Sequence, residues 1–90
     1  MRRIERSAAF KRDYKKLRRS IKDLDALLVP VLTALANDEP LAARYRDHAL
    51  SGNWSQYRDC HIKPDLVLIY AKSGNDTLRL ARLGSHSELF

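Results

Sequence analysis

The run Leu66-Val67-Leu68-Ile69-Tyr70-Ala71 is almost wholly apolar and rich in β-branched and aromatic side chains. Without polar alternation, it predicts a central strand covered on both faces. Lys63-Pro64-Asp65 turns the chain on one side of it and Gly74-Asn75-Asp76 on the other. Beyond these turns lie two more strand-like runs, Trp54 to Ile62 and Thr77 to Leu83, the second with a less regular alternation. Ser85-x-x-Glu88 then predicts a cap for one last helical turn, which ends at Phe90.

The N-terminal half reads differently. Residues 2–6 can form a short first strand, and Ser7 can cap the helix after it. Phe10, Tyr14, Leu17 and Ile21 recur at helical spacing, while Lys11, Lys15, Arg18 and Arg19 point elsewhere. Ser20-x-x-Asp23 resembles a capping box opening a second helix, whose apolar face holds Leu24, Leu27, Leu28, Val31, Leu32 and Leu35. Pro30 removes a backbone donor inside that helix and predicts a kink or break. Asn37 through Pro40 end it, and residues 41–53 read as a loop closed by Gly52-Asn53. The order is β-α-α-β-β-β. It predicts an α+β fold with helices packed on one face of a mostly antiparallel sheet, in a single domain spanning residues 1–90.

Composition narrows the function classes. The longest apolar stretch, Ala26 to Ala36, is too short and mixed to span a bilayer, and no apolar segment follows the N-terminal arginines. The lone Cys60 cannot form an internal disulfide. These features predict a cytoplasmic protein with no membrane association. The net charge is +6, and residues 1–20 hold nine Lys/Arg against Glu5 and Asp13, so that segment alone carries +7. Such a patch attracts polyanions, nucleic acid first, or an acidic protein partner.

His48, His61 and His86 all lie in the second half. Antiparallel pairing of the last strands brings the end of the His61 strand, Asp65 at the turn, and Arg82 and His86 at the end of the last strand to one edge of the sheet. Histidine serves as acid or base near neutrality. Cleavage of RNA through its own 2′-hydroxyl needs a base, an acid and a cation, which two histidines, a carboxylate and an arginine supply without metal or cofactor. A histidine taken alone is more often a surface residue. With no Cys pair and no tight His spacing, His61 and Asp65 are a poor metal set. Trp54, Tyr57 and Tyr70 read as packing residues, and Cys60 as buried and inert.

The stretches Tyr45-Arg46-Asp47-His48, Gly52-Asn53-Trp54, Tyr57 through Tyr70 and Arg82 through Phe90 resemble the YafQ-type toxins of the RelE/ParE superfamily. The likeness covers about half the chain directly, in the pattern YRDxHxxPDxxLIY followed by RxGxHxxLF. It implies a RelE-like fold and a type II toxin, an endoribonuclease that enters the ribosomal A site and cleaves messenger RNA there. It also implies neutralisation by an antitoxin, expected to be acidic and to form a toxin–antitoxin hetero-oligomer. The active-site positions fall on His48, His61, Asp65, Arg82, His86 and Phe90, with Phe90 expected to contact RNA. Lys11, Lys15 and Arg18 are expected to contact ribosomal RNA. Two other readings stay open: a ParE-like inhibitor of DNA gyrase, whose relatives lack this histidine set, and a nucleic-acid-binding module without catalysis.

Overall fold

The computed structural model describes residues 1–90. The chain forms β1 (Arg3–Arg6), α1 (Ala8–Leu17), α2 (Leu24–Ala36), β2 (His48–Ala49), β3 (Arg58–Lys63), β4 (Leu66–Ser73), β5 (Thr77–Gly84) and α3 (His86–Leu89). The sheet runs β1-β5-β4-β3-β2, with β1 parallel to β5 and every other pairing antiparallel. This is the predicted α+β arrangement, with β4 at the centre.

Residues 66–70 of β4 are all buried, because each face of the strand has its own cover. On one face Leu66, Leu68 and Tyr70 pack with Cys60 and Ile62 of β3, Leu78, Leu80 and Leu83 of β5, Phe10 of α1 and the apolar side of α2. On the other, Val67 and Ile69 meet Ala81 and Leu89, roofed by Leu50, Trp54 and Tyr57. The two long helices therefore share one face, as expected, and α3 sends Leu89 to the opposite one. Tyr70 is core, and Trp54 and Tyr57 pack against the sheet.

Ser7 caps α1 as predicted: its hydroxyl accepts from the Phe10 N–H at 2.9 Å and donates to the Ala81 carbonyl at 2.7 Å, tying the helix start to β5. Ser85 and Glu88 form the predicted capping box on α3.

Four local expectations change. The box expected at Ser20 and Asp23 does not form: Asp23 precedes α2 without a side-chain cap, and the Ser20 hydroxyl bonds back to the Leu17 carbonyl. Pro30 does not break α2, which runs unbroken from Leu24 to Ala36. Its ring lies on the exposed side, while Leu28, Val31 and Leu35 are buried and hold both halves against the sheet. The run expected from Trp54 is a strand only from Arg58, because Gly52–Trp54 closes a 3-10 turn. The loop 41–53 contains a second 3-10 turn, Ala43–Tyr45, and the two-residue strand β2, which brings the sheet to five strands.

The irregular alternation of β5 also has a cause. The register shifts between Ile69 and Tyr70 of β4, which face Arg82 and Leu80, so Ala81 is an extra residue in β5. Leu80 and Leu83 thus both reach the helical face, and Ala81 and Arg82 are left to the other side.

Leu68, fully buried at the centre of the helical face, is the sharpest test of this core. Leu68→Ala should cost about 2–5 kcal/mol, read as a lower urea midpoint at unchanged m-value.

Candidate active site

The pleat of β3 sorts its side chains. Cys60 and Ile62 turn toward the helices, so Asp59 and His61 turn the other way, beside their partners Ile69 and Val67 on β4. On that second face His48 of β2 stands opposite Asp59, and Arg82 of β5 stands opposite Ile69. His48, Asp59, Ile69 and Arg82 thus form one row across four strands. His61, Val67 and Gly84 form the next row, and His86 follows Gly84 by two residues.

The structure brings His61, Asp65, His86 and Phe90 together. The rings of His61 and His86 lie 5.3 Å apart, and Phe90 lies 5.4 Å beyond His86. An Asp65 oxygen accepts the His86 backbone N–H at 3.3 Å and so fixes the start of α3. Glu88 is anchored by the backbone and hydroxyl of Ser85 and by Lys16 of α1, contacts that lower its carboxyl pKa. His86 is thus positioned from two sides while its ring stays exposed.

The ring nitrogens differ in role. His61 Nδ1 lies 3.3 Å from the Pro64 carbonyl, and His48 Nδ1 lies 2.8 Å from the Arg46 carbonyl and 3.1 Å from Asp59 Oδ1. These neighbours are acceptors, so Nδ1 carries the proton in both rings and the neutral form presents an Nε2 lone pair. Either ring can take a proton there.

Arg82 and His48 stand apart from the His61–His86 pair, at the two ends of their row. Each stands beside an acid that the sequence reading did not single out. Asp13 of α1 accepts from Arg82 Nε at 2.8 Å and Nη2 at 3.2 Å, and from the Leu83 N–H at 3.0 Å. The Asp13 bond keeps the guanidinium pKa raised. Asp59 is 1 % exposed, and its Oδ1 makes no hydrogen bond although His48 Nδ1 lies 3.1 Å away. A signal for Asp59 was available, since it stands two positions before His61 and both share a strand face. Asp13 was visible only as the one acid inside the basic helix.

Asp47 steadies the segment before His48. It accepts from the Tyr70 hydroxyl and from Arg58 Nε at 3.3 Å. Burial, then the Asp47 bond, pushes the Tyr70 phenol well above its ordinary range. Lys11, Lys15 and Arg18 all lie on α1 or at its end, and all three are exposed. Arg18 also lies over the Tyr14 ring at 5.8 Å.

No three His, Cys, Asp or Glu side chains stand close enough to hold a metal ion together. No helix is long and apolar enough to cross a membrane. Cys60 is fully buried, and desolvation, with Asp47 and Asp59 nearby, pushes its thiol up to about 12. The native protein should therefore resist iodoacetamide at pH 8–9 and react once urea exposes the thiol. Because the folded pKa is raised, this group's stabilising effect is complete below the unfolded thiol's pKa, near 8.5, and fades as pH rises toward 12. Rapid native alkylation would show that the thiol is not sequestered.

Residues 2–90 match the family described as the bacterial toxin of type II toxin–antitoxin systems, YafQ. The mRNA interferase toxin YafQ of Escherichia coli K12 is 40% identical over 87 residues, which are 97% of this chain and 94% of that protein. Among solved structures, a metal-bound toxin from Helicobacter pylori is 49% identical with a TM-score of 0.91, each chain fully covered. The toxin-containing E. coli DinJ–YafQ complex matches at 42% identity and a TM-score of 0.86, over 100% of this chain and 99% of the other.

Proposed function

The chain belongs to the YafQ family of type II bacterial toxins, and from that premise we propose that it is a ribosome-dependent endoribonuclease that cuts messenger RNA in the A site. The observation that carries this reading is the His61–His86 pair, two imidazoles 5.3 Å apart beside Asp65 and Phe90. One phosphodiester can reach both rings, so one can take a proton while the other gives one. The names of the E. coli relatives, an mRNA interferase and a toxin in complex with DinJ, point the same way.

His61, with its Nδ1 proton directed at the Pro64 carbonyl, takes the 2′-hydroxyl proton through Nε2. The 2′-oxygen attacks the phosphorus, and the bond to the 5′-oxygen breaks. His86, whose ring has no carbonyl or carboxylate partner, protonates the leaving 5′-oxygen. Asp65 positions His86 through its backbone N–H and adds negative charge beside the pair. Arg82 offers the guanidinium hydrogens that Asp13 does not use to the charge developing on the phosphorane. His48 assists from β2, its Nδ1 held by the Arg46 carbonyl and its ring beside Asp59. Phe90, 55% exposed, offers a face on which a base can stack. No step is routed through a metal ion. The basic face of α1, with Lys11, Lys15 and Arg18, docks on ribosomal RNA, and an acidic antitoxin blocks the protein in a hetero-oligomer.

The reading is tested by mapping messenger RNA ends on ribosomes. Cleavage should leave a 2′,3′-cyclic phosphate and a 5′-hydroxyl, persist in chelator concentrations that leave the ribosome intact, and stop when the cut site carries 2′-O-methyl. His86→Ala should slow it about 10²–10⁴-fold. Cutting of the methylated RNA would exclude the 2′-hydroxyl mechanism.

Asp13 is a positioning residue in this scheme, acting through Arg82. Arg82→Ala should lower the single-turnover rate strongly, and Asp13→Asn more weakly. Asp13→Asn should cost nothing further in the Arg82→Ala background. Additive losses would assign Asp13 to stability alone, since a structural tie does not depend on Arg82 chemistry.

A further inference from the structure

A groove of about 780 Å³ runs from His61 between α2, the 43–46 turn and the β3–β4 turn, and the catalytic scheme uses only its His61 wall. Its permanent charges come from Arg44, Arg46 and Lys63, and no carboxylate lines it. Leu27, Pro30, Ile62 and Pro64 supply apolar wall between them.

The Arg44 guanidinium lies over the Tyr45 ring at 4.9 Å, and its Nη2 donates to the Tyr45 hydroxyl at 3.0 Å. This leaves a flat cationic plate along one wall. Arg46 has a left-handed backbone, with φ 49°, and its carbonyl is the one that holds His48 Nδ1. The turn that lines the groove therefore also orients His48.

We propose that this groove seats an RNA nucleotide flanking the scissile bond, its phosphate among Arg44, Arg46 and Lys63 and its base on the Arg44–Tyr45 plate. The proposal deepens the ribonuclease reading and rests on it, because His61 belongs to both the cleavage pair and the groove. The features ask for a ligand that is anionic and partly flat. A nucleotide combines both, and the strand entering the His61–His86 pair must leave it past one of the flanking walls. An acidic peptide would satisfy the charge and leave the plate unused.

The test uses NMR titration of the isotope-labelled full chain with a 2′-O-methylated RNA hexamer, which cannot be cut, and in parallel with hexaglutamate. RNA should shift the amides of Leu27, Tyr45 and Ile62. The exposed pair Arg44→Ala and Lys63→Ala should together weaken RNA binding at least about tenfold, the size expected on losing a stacking platform. The salt slope should fall by about 1.4, from about 0.7 per phosphate contact on a single strand. The dispersed spectrum of the double variant confirms its fold. RNA shifts confined to the Trp54 and Tyr57 side, unchanged binding by the double variant, or groove shifts with hexaglutamate alone would each overturn the proposal. Oligonucleotide binding does not need cleavage, so a wild type that leaves ribosome-bound messenger intact while filling this groove would count against the ribonuclease reading instead.

Discussion

The parity of β3 is the constraint on which the site depends. Side chains of a strand alternate between faces, so a slip of one residue would exchange the two sets. Cys60 and Ile62 are drawn into the helical core, and that alone sends Asp59 and His61 to the opposite face. β4 enforces the choice, because it is buried on both sides and pairs with β3 and β5 through most of its length. A slipped β3 would place a carboxylate and an imidazole against Leu28 and Val31. Burial of the apolar set, at roughly 25 cal/mol per Å², opposes that exchange residue by residue. The chemistry is therefore set in register by side chains that never touch a substrate.

The bulge at Ala81 performs a related task on the other flank. In a regular strand Leu80 and Leu83 would face opposite ways. The extra residue lets both enter the helical core while Arg82 is turned toward the face that carries His61. The same shift lets the Leu83 N–H reach Asp13, which the Arg82 side chain also meets. One irregularity thus positions a cation and supplies its anchor with a third donor.

Much of this was legible in the sequence because it rests on local patterns. The unbroken apolar run of β4, the helical spacing of Phe10, Tyr14 and Leu17, and the capping residues Ser7 and Ser85 each act over a few positions. The joining of His61, Asp65 and His86 followed from antiparallel order. What escaped has physical reasons. A two-residue strand such as β2 is too short to show a period, and Asp47 just before it is held by Tyr70 and Arg58, which are distant in sequence. Pro30 is a helix breaker only where nothing else holds the helix, and burial of Leu28, Val31 and Leu35 overrides it. The Asp13–Arg82 pair spans 69 positions, so no local pattern records it. Lysine and arginine counts placed positive charge at the N-terminal end, yet they could not show that one acid there reaches β5.

That acid belongs to a wider division of labour. The chain is basic, with 17 Lys/Arg against 11 Asp/Glu, yet it keeps carboxylates close to the face offered to a polyanion. Each one near the site is engaged from behind: Asp13 by Arg82, Asp47 by Tyr70 and Arg58, Asp59 by His48, and Asp65 by the His86 backbone. An acid so held fixes a donor while part of its own charge is balanced. The groups left pointing outward are the remaining guanidinium hydrogens of Arg82 and the imidazole edges, with Arg44, Arg46 and Lys63 beyond them. A basic surface made of flexible side chains alone would attract RNA without orienting it. Short carboxylates behind the cations and rings reduce the rotamer freedom that binding must otherwise remove, so attraction and orientation come from paired groups rather than from net charge.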